Sequence, residues 1–103
     1  MKNIRAKRET SREYLMKLMY QTYISNGDIT DLENEMEEFL QNNKEYIVSR
    51  YKELVLTYSD KDVDFEGLSL EKCVDRVYLN EMCDILRFKI DYINELIENN
   101  AKN

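Results

Sequence analysis

VDRVYLNEMCDILRFKIDYINELIENN, residues 74–100, decides the fold. Leu79, Met82, Leu86, Ile90, Ile93 and Ile97 recur at three- and four-residue steps, the period of a helix that buries one face. Ile85 and Leu96 widen that face, and Asp75 stands where a helix start wants a short carboxylate to accept its first amides. With no glycine or proline in the run, the spacing predicts one long helix. So broad a stripe calls for more cover than one short neighbour gives, which predicts either a second copy of the chain or sequence beyond Asn103 lying over it.

Working upstream, Ile47, Tyr51, Leu54, Val55 and Tyr58 predict a helix over Tyr46 to Tyr58, and Ser59 to Ser69 reads as a loop. Thr30 and Glu33 have the spacing of a capping box, with Leu32, Met36, Phe39 and Leu40 forming the apolar side of the helix that follows and Asn42-Asn43 closing it. Thr10 and Glu13 repeat the box. They predict a first helix starting near Ser11, with Leu15, Leu18, Met19 and Thr22 facing a core, Met16 and Tyr23 on one flank, and Asn26-Gly27-Asp28 as the stop. The fold class is therefore all-α, a bundle of about four helices.

Composition agrees. At 103 residues the chain is one domain, and with no proline and two glycines it lacks the turn residues that an all-β fold needs. No window reaches the ~18 apolar residues of a membrane span, and no apolar leader opens the chain, so no membrane partner and a cytoplasmic address are expected. Cys73 and Cys83 are too far apart for a CxxC motif and read as reduced packing residues. Histidine is absent, which removes Ser-His and Cys-His nucleophile pairs and His-ligated metals within the chain. Carboxylates are plentiful but unpaired in any catalytic pattern, so no enzyme, no catalytic residue and no cofactor is expected. Asp60, Asp62, Asp64 and Glu71 fall at positions 1, 3, 5 and 12 of an EF-hand loop. Position 6 is Phe65 instead of the required glycine and position 8 is Gly67 instead of an apolar residue, so the segment reads as an acidic solvated loop with no metal.

Charge is uneven along the chain. Residues 1–20 hold six basic against two acidic side chains, a net +4, and since the whole carries −6 the remainder carries −10. A basic end on an acidic body suits a local contact with a polyanion. Arg5, Arg8 and Arg12 recur at three and four residues; the capping box places the first two on an arm over residues 1–10, and a backward extension of the helix would align all three. Either form suits RNA phosphates. The alternative for this block is a solubilising tail. Tyr20 lies off the centre of the first helix's stripe, toward the exposed side. It is either a stacking platform for a base or a packing residue at the core edge.

The run Arg8-Glu9-Thr10-Ser11-Arg12-Glu13-Tyr14-Leu15-Met16-Lys17-Leu18-Met19-Tyr20-Gln21 resembles the start of the bacterial antitermination factor NusB family, where spaced arginines precede an apolar stripe and a "Leu-Tyr-Gln" segment. Val74-Asp75-Arg76-Val77-Tyr78-Leu79-Asn80-Glu81-Met82, continuing through Ile90-Asp91-Tyr92-Ile93-Asn94-Glu95-Leu96-Ile97, looks like the family's third helix. The resemblance covers about half the chain and corresponds to the family's N-terminal subdomain. It implies helices 1 and 2 over residues 11–42, an inserted helix and loop over 43–72, and helix 3 over 73–103, with Ile85 in place of a glycine and the C-terminal bundle absent. It further implies RNA binding in transcription antitermination, with boxA-like RNA and the ribosomal protein NusE as partners, and carries Arg8, Arg12 and Tyr20 onto RNA-contacting positions. A helical interaction or dimerisation module without an RNA role is the rival expectation.

Overall fold

A computed structural model describes residues 2–26, 32–58 and 67–101. Six helices follow in order: α1 (Lys2–Asn26), α2 (Leu32–Asn42), α3 (Lys44–Tyr58), α4 (Leu70–Cys73), α5 (Arg76–Phe88) and α6 (Ile90–Ala101). Among the described residues there is no strand, and no helix is long and apolar enough to cross a membrane.

α1 is the axis of the bundle, and the other five helices all pack against it, α3 most extensively. Its inner face carries Ala6, Tyr14, Leu15, Leu18 and Met19, all buried. The expected start near Ser11 is wrong, because α1 begins nine residues earlier and residues 1–10 form no arm where they are described. Thr10 is fully buried in mid-helix and its hydroxyl donates to the Ala6 carbonyl at 2.7 Å. A threonine that would cap a helix start can equally satisfy itself on the carbonyl four residues back. With Ala6 needed in the core and no glycine or proline ahead of it, the continuous helix wins. Glu13, the other half of the expected box, instead accepts from Arg50 Nε of α3 at 3.1 Å.

α2 buries Leu32, Met36, Phe39 and Leu40, as its spacing predicts, while the Thr30 capping box lies outside the described residues. Asn43 alone joins α2 to α3: its amide and side chain both donate to the Phe39 carbonyl, and its own carbonyl accepts the Ile47 amide. α3 buries Ile47, Tyr51, Leu54 and Val55 against α1. Asp60, Asp62 and Asp64 lie outside the described residues. Gly67, at φ +72°, occupies a backbone region that favours glycine. The single turn of α4 then buries Leu70 and Cys73 where a loop passing into the last helix was expected.

Asp75 caps α5, accepting the Tyr78 amide at 3.0 Å. The expected single last helix is broken in two at Lys89, whose backbone (φ −117°, ψ 24°) leaves the helical region while its amide closes a short turn on the Leu86 carbonyl. The break turns α6 onto α1 and α5. Leu79, Cys83 and Leu86 are buried, whereas Ile85 and Leu96, which seemed to widen one stripe, are exposed. The side chains of Ile90, Ile93 and Ile97 lie outside the described set.

Cys73 and Cys83 are free and buried, as expected of packing residues, and burial raises both thiols above their ordinary range.

Candidate nucleic-acid interface

Every fourth residue of α1 from Ile4 to Ile24 faces outward: Ile4, Arg8, Arg12, Met16, Tyr20 and Ile24 are all exposed. Residues four apart are neighbours on a helix surface, so these six form one oblique row. At ~1.5 Å per residue, Arg8 and Tyr20 stand ~18 Å apart along the axis.

Arg8 and Arg12 have no hydrogen-bonded partner among the described residues, and their guanidinium groups are available to an external anion. Arg5 is different. Its guanidinium lies 4.2 Å from the centre of the Tyr58 ring and reaches Glu9 at 3.5 Å. The Tyr58 hydroxyl donates to the same Glu9 carboxylate from the end of α3. Glu9 is accordingly held below the ordinary carboxylate range, first by the Tyr58 hydrogen bond and then by Arg5, with Arg12 adding a weaker attraction; the same bond pushes the Tyr58 phenol up. Extending α1 backward thus aligns Arg5 with the other two but commits it to a clasp between α1 and α3.

Tyr20 is 56 % exposed, on the side its spacing indicated. Met16, assigned by periodicity to a flank of the buried stripe, is 59 % exposed and lies between Arg12 and Tyr20 in the row. Met16 and Ile24 were not among the candidate residues. The signal for them is the four-residue recurrence that also contains Arg12 and Tyr20 and that lies within the helix predicted from Ser11 onward.

Away from this face, Arg76 on α5 bridges Glu71 at 2.8 Å and Glu37 of α2 at 2.6 Å. The two carboxylates raise the Arg76 guanidinium further above its already high range, and Arg76, with Gln41, lowers Glu37. Among the described residues no group of three or more Cys, Asp or Glu side chains is placed to hold a metal ion. Compared with protein families, curated proteins and solved structures, the chain gives no match.

Proposed function

We propose that the outer row of α1 binds single-stranded RNA and that the chain acts, without catalysis, in transcription antitermination of the NusB kind, on boxA-like RNA and together with NusE. The observation that carries the reading is the coincidence of two guanidinium groups without a hydrogen-bonded partner among the described residues, Arg8 and Arg12, with an exposed aromatic ring, Tyr20, on one row of one helix. Those three are also the positions that the sequence resemblance carries onto RNA. Phosphate contacts supply affinity and a planar ring supplies stacking, a combination that suits unpaired bases.

Fluorescence anisotropy with a boxA-like strand and a scrambled strand, across a salt series, tests it. Each phosphate neutralised on a single strand contributes a slope of about 0.7, so two free arginines give about 1.4. Arg8→Ala/Arg12→Ala lowers affinity and flattens the slope. Tyr20→Ala lowers affinity by about 1–3 kcal/mol and leaves the slope nearly unchanged. Equal binding of both strands, with NusE present, removes the antitermination reading.

A second reading rests on the other members of the same row. Ile4, Met16 and Ile24 are aliphatic and exposed, as are Val77 and Ile85 on α5, which favours a helical interaction module, with a homodimer as its simplest form. Sedimentation equilibrium decides the homodimer, and a strict monomer at high concentration excludes it.

A further inference from the structure

A single residue, Lys89, makes the corner between α5 and α6: its backbone stands at φ −117° and ψ 24°, and its amide donates to the Leu86 carbonyl at 3.1 Å. Two other described corners carry a side-chain bond of their own. Asp75 takes the Tyr78 amide between α4 and α5, and the Asn43 side-chain amide donates to the Phe39 carbonyl between α2 and α3. Lys89 is exposed and has no such bond among the described residues. An ammonium has no lone pair with which to accept the first amides of α6, so lysine cannot cap a helix start.

The sequence asks for no break at this point. The three- and four-residue spacing of Leu79, Met82, Leu86, Ile90, Ile93 and Ile97 runs on in phase across Lys89, and lysine is a good helix former. One straight helix over residues 76–101 would be ~39 Å long. It would bond the Ile90, Asp91 and Tyr92 amides to the Leu86, Arg87 and Phe88 carbonyls, groups of the kind that a helix end leaves without an intrahelical partner. What holds the bend is therefore the seat of α6 on α1 and α5, not the chemistry of the corner.

That seat does not belong to one molecule. The contacts that receive α6 from its own chain receive it equally from a second copy, and a very short hinge is the connection from which elements are most readily exchanged. We propose that the chain forms a domain-swapped homodimer in which Lys89 straightens, α5 and α6 become one continuous helix, and each α6 packs on α1 and α5 of the other copy. The proposal deepens the homodimer reading of the chain and does not rest on the RNA reading.

The test uses the full chain. Copies labelled with carbon-13 are unfolded together with copies labelled with nitrogen-15, refolded and concentrated, so that isotope-filtered NMR reports only contacts between copies. Light scattering is expected to show a particle of twice 12.5 kDa, and the filtered spectra are expected to show α6 of one copy against α1 of the other. Lys89→Gly keeps the bent corner, since glycine adopts that backbone freely, and disfavours the straight helix twice per dimer. Its dimer dissociation constant is expected to rise about tenfold, with the melting temperature of the monomer unchanged. A dimer without α6–α1 contacts between copies, or an unchanged dissociation constant in Lys89→Gly, overturns the swap and leaves the homodimer reading standing. A strict monomer at millimolar concentration overturns both.

Discussion

Ser11 holds two parts of the chain with one hydroxyl. It donates to the Lys7 carbonyl at 2.8 Å and accepts the Asp75 amide at 2.7 Å, a contact that fixes the corner between α4 and α5 against the middle of α1. Removing it leaves the Asp75 N–H buried or half-buried without its acceptor, which costs about 1–3 kcal/mol. Ser11→Ala should lower the unfolding free energy by that amount, read as a lower urea midpoint at an unchanged m-value. Glu9 gives a second residue-scale prediction. Because the Tyr58 hydrogen bond is the first cause of its lowered pKa, Tyr58→Phe should move the Glu9 carboxyl titration toward higher pH, read by carboxyl carbon NMR. Neither role was visible in the sequence. Ser11 read as a helix start and Tyr58 as one more member of an apolar stripe, since spacing shows which way a side chain faces but not which distant backbone or carboxylate meets it.

At the scale of elements, the sequence located α2, α3 and the start of α5 closely, because each carries its own apolar spacing and, at Asp75, a side chain that can only accept. It misplaced the start of α1 and the end of α5 for opposite reasons. In α1 a strong local signal, Thr10 with Glu13, competed with the burial of Ala6 and lost. At Lys89 no local signal exists: a single residue leaves the helix without glycine or proline, and the three- and four-residue rhythm carries on across it. α1 places buried side chains in successive turns from Ala6 to Thr22, while Tyr92, Glu95, Leu96, Glu98, Asn99 and Asn100 of α6 are all exposed.

For the molecule as a whole, one core joins α1 to α5, and Leu18 sits in it at 1 % exposure. Leu18→Ala should destabilise by roughly 2–5 kcal/mol, with loss of a single cooperative unfolding transition's midpoint instead of fraying of one helix. Among the carboxylates that tie helices together, Glu9 links α1 to α3 through Tyr58, and Glu37 links α2 to α5 through Arg76. Both have folded pKa values below the ordinary range. Their contribution is therefore present above the unfolded carboxylate pKa, about 4.3, and is lost as pH falls through the lower folded values. Thermal melts should show stability dropping below that pH, and less steeply in Tyr58→Phe. The central position of α1 has one more consequence, for synthesis. α1 leaves the ribosome before the described helices that pack on it, and its partner at Asp75 lies 64 residues behind Ser11. At about 5–20 residues per second, that leaves the middle of α1 waiting roughly 3–13 s for the α4–α5 corner alone, an interval in which a chaperone at the tunnel exit has an amphipathic helix to hold.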